Sequence, residues 1–487
     1  MSTILQLTQL IGDESRAARS AETLEVFEPA TGKPFALCPS GTATDVDEAV
    51  RAAQGAFSAW SSLSNEARAR WINRLADALE VRLEDFAQAE SRDAGKPLAL
   101  VREIEIPRAI ANLRFFAAAA TQFASESHHG QAGLNYTLRQ ALGVVACISP
   151  WNLPLYLFTW KIAPALAAGN CVVAKPSEIT PVTAWMLGEL AREIELPLGV
   201  LNIVHGLGPV VGSALVEHPA IKAVSFTGST AVGRQIAAHC GPALKKISLE
   251  MGGKNATIIF ADAFTDASRR DHLLDTVVRS AFQNSGQICL CGSRILVESS
   301  VMDPFREAFL ARVQALRIGD PQDATTDLGP MVSQVHFDKV LACIALARDE
   351  GGKILCGGEA VQLDGRCAGG WFIEPTVIDG LGPDCRSNTE EIFGPVVTLQ
   401  AFDDETHAMT LANATPYGLS ASVWTQQLDR AHRVAANLHV GILWINTWMQ
   451  RDLRTPFGGV GQSGLGREGG LEAMRFFTEP KNVCIQL

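Results

Sequence analysis

The sequence predicts an α/β protein whose first sheet is parallel and covered by helices on both faces. Two observations carry this. From position 143 onward, short β-rich runs at 144–148, 171–175, 200–204 and 223–226 alternate with helical stretches near 158–168, 181–194, 209–217 and 230–239. Each strand–helix–strand crossover lays its helix on a sheet face. The chain also has the balance of a globular protein, with 47% hydrophobic and 19% charged residues over 487 positions, enough for two to four structural units. Ahead of the alternating region, 45–60 and 64–89 place apolar residues at three- and four-residue spacing, and 106–125 continues that style. The first quarter therefore reads as mostly helical. The run 134–142 alternates apolar and polar residues and reads as a strand or hairpin projecting from the body. Strands at 246–249 and 257–260 follow. A second α/β stretch then fills about 260 to 450, with elements at 303–317, 338–350, 408–412 and 421–424, and the tail 476–487 reads as a strand.

Several function classes are excluded. The net charge is −11, so the clustered Lys/Arg footprint of a nucleic-acid groove is not expected. No apolar run approaches the ~20 residues of a membrane span; the alanine-rich 109–124 is broken by Asn112, Arg114, Thr121 and Gln122. The first eleven residues lack a basic region ahead of an apolar one, so no secretory signal is expected. Eleven scattered cysteines fit reduced thiols in a cytoplasm, and the Cys289-x-Cys291 pair has no second pair to complete a metal site.

Five segments carry chemistry, each with a plain alternative. In Gln283-Asn284-Ser285-Gly286-Gln287-Ile288-Cys289 a helical run ends in turn residues that deliver a cysteine, either an exposed nucleophile or a buried small apolar residue. In Leu249-Glu250-Met251-Gly252-Gly253-Lys254 a carboxylate ends a β-run before two glycines. Glu250 is either a desolvated general base or the partner of Lys254. In Ile148-Ser149-Pro150-Trp151-Asn152-Leu153-Pro154, two prolines stiffen a segment whose Asn152 amide suits an oxyanion, or is simply a turn residue. Phe226-Thr227-Gly228-Ser229-Thr230 runs from a strand into a helix N-terminus, the geometry that binds phosphate, but has Thr230 where G-x-G-x-x-G has its middle glycine. Finally, Lys175-Pro176-Ser177-Glu178 ends a strand with a cation and a carboxylate that either hold ribose hydroxyls or pair with each other; a carboxylate near the 2′-hydroxyl favours NAD over NADP.

In this order, and with Glu390-Glu391-Ile392-Phe393-Gly394-Pro395 and Pro456-Phe457-Gly458-Gly459 added, the segments resemble the aldehyde dehydrogenase superfamily over nearly the whole chain. The resemblance implies a modified Rossmann cofactor domain (1–125 and 143–250), an α/β catalytic domain (251–450) and a small β bridging or oligomerisation element (126–142 and 470–487). It implies a homodimer or homotetramer. It makes Cys289 the nucleophile on the aldehyde carbonyl, Asn152 and the Cys289 backbone N–H the oxyanion donors, and Glu250 the base that hydrolyses the thioester. The resemblance also implies NAD as the cofactor: Lys175 and Glu178 would hold the adenosine ribose, Gly228 and Ser229 the pyrophosphate and Glu391 the nicotinamide ribose, and Phe393 would flank the ring. Ile148, Pro150, Trp151 and Ser177 complete that set. A carboxylate at 250 points to a free acid product rather than transfer to coenzyme A. The different-class alternative is a cofactor-free cysteine thioesterase or esterase, against which the Gly228 loop argues.

The segment Trp151–Lys161, the stretch 446–454, Glu105-Ile106-Pro107-Arg108 and the ending Gly466-Arg467-Glu468-Gly469-Gly470 are similar to the 2-hydroxymuconate and 2-aminomuconate semialdehyde dehydrogenases. That likeness implies a semialdehyde with a remote carboxylate. Arg108 and Arg451 would grip it at the tunnel mouth, with Arg454 assisting, because a guanidinium fork binds a carboxylate through two parallel bonds. Leu153, Leu157 and Trp160 would line the tunnel. The choice between hydroxy and amino substrates stays open.

Overall fold

The computed structural model describes residues 4–131 and 133–486. Residues 1–3 of the expected N-terminal unit, residue 132 of the hairpin and the last residue of the tail strand lie outside that range. Among the described residues, the first sheet has eight strands in the spatial order Gly464–Leu465, Lys246–Glu250, Ile221–Thr227, Val144–Ile148, Cys171–Lys175, Leu201–Ile203, Gln9–Ile11, Glu14–Arg16. The central five run parallel, and the outer strands at both edges add antiparallel. The chain lays down 144–148, 171–175 and 201–203 in one direction, then returns to place Ile221–Thr227 on the other side of Val144–Ile148. The order reverses between those two strands, and ligands of open α/β sheets bind outside the carboxyl ends of strands at such a switch point. Ser149-Pro150-Trp151 and Gly228-Ser229 leave the sheet at this point.

The second sheet runs Lys353–Cys356, Thr376–Asp379, Val396–Phe402, Arg294–Glu298, Ala256–Ile259, Ser420–Trp424, Ile442–Ile445 and is parallel except at its first strand. A third, antiparallel sheet joins the hairpin Ser127–Gly130 and Gly133–Ala141 to the tail strand Thr478–Ile485, in continuous register from Thr478↔Ala141 to Ile485↔Leu134. Residues 470–476 form a helix ahead of that strand.

The first quarter departs from its helical reading. Between Leu5 and Pro39 the chain forms short strands, including a small sheet of Leu5–Gln6, Lys33–Pro39 and Thr23–Glu28. Helices begin only at Ala43–Ser61, where Thr42 and Asp45 close a capping box. The 64–89 stretch is two helices, Asn65–Val81 and Leu83–Ala94: Arg82 (φ −104°, ψ 20°) breaks the first and starts the second. After 450 the chain comes back to the first sheet, since Gly464–Leu465 pairs with Lys246–Glu250. The largest apolar cluster covers the first sheet and its helices and takes in Ile288, Leu290, Trp448 and Phe457 from the other half.

Candidate active site

The cysteine turn is built under constraint. Helix Ala267–Phe282 ends, and Asn284 (φ 54°), Ser285 (φ 52°) and Gly286 (φ 73°) follow in the left-handed region. Two non-glycine residues there cost ~1–2 kcal/mol each, so the surroundings must impose the shape. They do so through hydrogen bonds. The Ser285 hydroxyl donates to Gly329 O (2.7 Å), the Gln287 amide to Asn284 O (3.1 Å), and Val332 N to Gln287 Oε1 (3.0 Å). Gly286 is required, because a Cβ there would sit 2.0 Å from Gly394 O. The Asn255 amide then donates to Cys289 O (2.7 Å) and Cys291 O (2.9 Å), and the Trp448 indole N–H to Leu290 O (2.9 Å). Cys289 emerges half-buried on a fixed backbone, whereas Cys291 is buried.

Asn152 follows the end of strand Val144–Ile148, and its amide donates to Gln287 O at 3.0 Å, which leaves its second N–H for a ligand. Asn152 and Cys289 line one cavity of about 230 Å³ together with Trp151, Glu391 and Phe393. An adjoining cavity of about 400 Å³ at the switch point is lined by Ile148, Pro150, Trp151, Lys175, Ser177, Glu178, Gly228 and Ser229. The two share Pro150, Trp151 and Thr227-Gly228-Ser229. Lys175 and Glu178 pair with each other at 2.8 Å and still face this cavity, so both readings of that segment hold at once. Ser229 caps helix Thr230–Cys240. A dinucleotide fits the set: a helix N-terminus for its phosphates, a cation–carboxylate pair at one end, and a passage leading to the thiol.

The two glycines after Glu250 have a tertiary cause. Glu391 Oε1 accepts from Gly253 N at 3.0 Å, and a Cβ on Gly252 would lie 2.0 Å from Glu391 Oε2. Glu250 ends its strand 3% exposed, and neither carboxylate oxygen has a hydrogen-bond partner among the described residues. The alternative pairing with Lys254 is not realised, since the buried Lys254 ammonium also lacks a partner there. Glu250 neighbours a buried ion pair instead: Lys161 Nζ lies 2.7 Å from Glu468, whose oxygen also accepts from the Ser225 hydroxyl at 2.8 Å. Burial first, then the Glu468 charge, holds the Glu250 carboxyl well above the usual carboxylate range, with Lys161 in partial opposition. Burial, then Glu391 and Glu250, push the Cys289 thiol up to about 12, while Arg451 pulls it down. The thiol is therefore protonated near neutral pH.

A third cavity, about 1170 Å³, opens at Arg108, Arg451, Arg454 and Phe457. Arg451 lies 4.1 Å over the Phe457 ring and donates to the Tyr156 hydroxyl at 2.6 Å. Arg108 stands 5.3 Å from the Tyr156 ring and 5.6 Å from that of Trp160, and its Nη2 is buried without a partner among the described residues. These two guanidinium groups thus converge on one aromatic cluster. Arg454 does not join them: its side chain is 81% exposed and bound to Asp452 at 2.6 Å. Leu153 and helix Pro154–Ala167, which carries Leu157 and Trp160, are buried throughout.

Four contributors have no local signature in the sequence. Tyr156 fixes Arg451, Asn255 fixes the cysteine turn, and His336 and Lys339 line the Cys289 cavity. Lys161 and Glu468 fall within segments singled out above, yet their pairing across 307 positions is visible only in the fold.

A thiol on a rigid turn, an amide donor beside it and a passage to a dinucleotide-type crevice define a thiol-dependent oxidoreductase. The aldehyde dehydrogenase family pattern matches residues 16–483, and the chain belongs to that family. It is 47% identical to the 2-aminomuconic semialdehyde dehydrogenase of Danio rerio, with 96% of each chain covered. It is 43% identical to the 2-hydroxymuconic semialdehyde dehydrogenase of Pseudomonas sp. strain CF600, covering 96% of this chain and 97% of that one. Among solved structures, PnpE from Pseudomonas sp. WBC-3, also solved in complex with nicotinamide adenine dinucleotide, superposes with a TM-score of 0.95 at 41% identity, covering 99% of this chain and 98% of that one.

Proposed function

We propose that the chain oxidises a carboxylated semialdehyde of the muconic type to the acid with NAD, through covalent chemistry at Cys289. The observation that carries the reading is the single cavity shared by Cys289 and Asn152, which continues into the crevice at the switch point. Bound NAD supplies the two-electron acceptor for the aldehyde hydrogen. It would be held by Ile148, Pro150, Trp151, Lys175, Ser177, Glu178, Gly228, Ser229, Glu391 and Phe393, the residues of the two adjoining cavities.

The remaining steps belong to the protein. The Cys289 sulfur attacks the carbonyl carbon as the carbonyl π pair moves onto oxygen, and the thiol proton passes to solvent water in the open cavity in the same step, because burial disfavours a standing free thiolate. The free Asn152 N–H and the Cys289 backbone N–H face the oxyanion. The acyl group remains on sulfur as a thioester, and Glu250 takes a proton from the water that hydrolyses it. Glu250 is suited to this because burial raises its carboxyl pKa and so makes it a stronger base than an exposed carboxylate. Arg108 and Arg451, gathered on the rings of Tyr156, Trp160 and Phe457, hold the remote carboxylate; Leu153 and Leu157 are buried in the core and line none of the three cavities, and the solvent-facing side chain of Arg454 speaks against a part for it.

Residues 1–125 with 143–250 act as the cofactor unit, 251–450 as the catalytic unit, and the three-stranded sheet as the bridge of a homodimer or homotetramer. No helix among the described residues is long and apolar enough to cross a membrane, and the scattered free cysteines support a cytoplasmic site of action. The test is NADH formation with 2-hydroxymuconate semialdehyde, 2-aminomuconate semialdehyde and hexanal. Cys289→Ala abolishes it with all three. Turnover without NAD would instead establish a thiol hydrolase.

A further inference from the structure

We infer that His336 and Lys339, one turn apart at the start of helix Gln334–Asp349, are positioning residues that clamp the cofactor-facing segment Glu391-Ile392-Phe393 by its three successive carbonyls. The His336 ring Nε2 lies 2.7 Å from Phe393 O, and the Lys339 ammonium donates to Ile392 O (3.0 Å) and Glu391 O (3.3 Å). A carbonyl only accepts, so Nε2 carries the proton; burial lowers the His336 pKa to about 4, and the ring is neutral at physiological pH.

The segment needs such a clamp. Phe393 sits at φ 63°, a backbone conformation that a phenylalanine rarely adopts unaided. Its ring and those of Trp151 and His336 form a mutual cluster, with centroids 5.2 Å apart for Trp151–Phe393, 5.1 Å for Trp151–His336 and 6.1 Å for His336–Phe393. The next residue is squeezed between two walls. A Cβ on Gly394 would meet Val340 of the same helix at 2.7 Å, and Gly394 O is the atom that excludes a side chain from Gly286 in the cysteine turn. The helix therefore presses one segment, bearing the Glu391 carboxylate and the Phe393 ring, against the turn that delivers Cys289. The clamp fixes where these groups stand relative to the sulfur.

This rests on the reading that Glu391 and Phe393 face the nicotinamide half of the cofactor. In the full-length enzyme, the affinities of NAD and of ADP-ribose, which lacks nicotinamide, are compared by calorimetry alongside kcat and KM. The variants are His336→Phe (ring kept, donor lost), His336→Gln (donor kept), Lys339→Met and Phe393→Ala. His336→Phe, which loses one hydrogen bond, and Lys339→Met, which loses two, each weaken NAD binding by at least about 2–10-fold, the order of one such bond, and leave ADP-ribose within about twofold. They lower kcat by about 10–100-fold, the order of a reacting group misplaced by about 1 Å. His336→Gln restores both to within about threefold of the parent. Equal loss of NAD and ADP-ribose affinity, or no rescue by His336→Gln, overturns the clamp. If Phe393→Ala impairs NAD binding and kcat but His336→Phe and Lys339→Met do not, only the clamp falls. If Phe393→Ala changes neither, the assignment of Phe393 fails and the clamp with it.

Discussion

Replacing Arg451 by alanine tests the substrate reading most directly. Its guanidinium is braced by Phe457 at 4.1 Å, Trp160 at 5.4 Å and the Tyr156 hydroxyl at 2.6 Å, so little side-chain freedom is lost when a carboxylate arrives. A hydrogen-bonded contact to a charged group is worth ~1.5–3 kcal/mol, and its loss raises KM for a carboxylated semialdehyde by about 10–200-fold. Arg108 faces the same aromatic cluster and takes part of the load, which places the single variant toward the lower end and makes the two substitutions non-additive. Arg451 also lowers the Cys289 pKa, so some loss strikes every aldehyde. The diagnostic quantity is therefore the ratio of kcat/KM for the carboxylated substrate to that for hexanal, from initial rates of NADH formation. Arg451→Met keeps the stem over Phe457 and separates lost charge from lost packing. A ratio unchanged in both variants would refute carboxylate recognition at Arg451.

Glu468→Gln removes a negative charge beside Glu250 and leaves Lys161 without its counter-ion, so the Glu250 pKa falls. A base works above its pKa. Where thioester hydrolysis limits turnover, the acid limb of the kcat–pH profile accordingly moves to lower pH, by on the order of one unit; an unmoved or upward-shifted limb would show that Glu250 is not the titrating base. Arg454→Ala removes an exposed side chain bound to Asp452 and changes KM for carboxylated and neutral aldehydes alike by less than about twofold. A tenfold rise confined to the carboxylated substrate would return Arg454 to the binding site.

The region 144–260 was legible because its short strands are almost wholly buried runs and alternate with longer helical stretches, of which Val182–Glu193 and Thr230–Cys240 bury one face and Pro154–Ala167 is buried throughout. The strands before residue 40 were not: they span two to seven residues and mix polar with apolar positions, and Gln9–Ile11 joins the first sheet only through its distant partner Leu201–Ile203. Periodicity ran through Arg82 because a single non-helical residue does not disturb a three- and four-residue pattern. The cysteine turn announced itself through Asn284-Ser285-Gly286, all turn formers, of which Gly and Asn tolerate left-handed backbone and Ser285 is held there by its contacts. By contrast, the reason for Gly252 lies with Glu391, 139 positions on, whose carboxylate leaves no room for a Cβ, and no local pattern contains it. Arg454 looked equivalent to Arg451 by spacing, yet Asp452 between them captures it.

The charges around the sulfur impose an order on the chemistry. Burial and Glu468 raise the Glu250 pKa, and a Glu250 that carries its proton puts no negative charge near Cys289. Burial, Glu391 and Glu250 keep a proton on Cys289 in turn, so a standing thiolate and an ionised Glu250 oppose each other. Arg451 favours negative charge at the sulfur, and Asn152 offers a donor to the oxygen that becomes negative on attack. Once a thioester has formed, the sulfur can no longer ionise, and an anionic Glu250 has no thiolate to oppose it. On the proposed mechanism the Glu250 carboxylate then takes a proton from water. On that mechanism Cys289 and Glu250 thus avoid being anionic together, and acylation takes the sulfur out of that competition before Glu250 acts as the base.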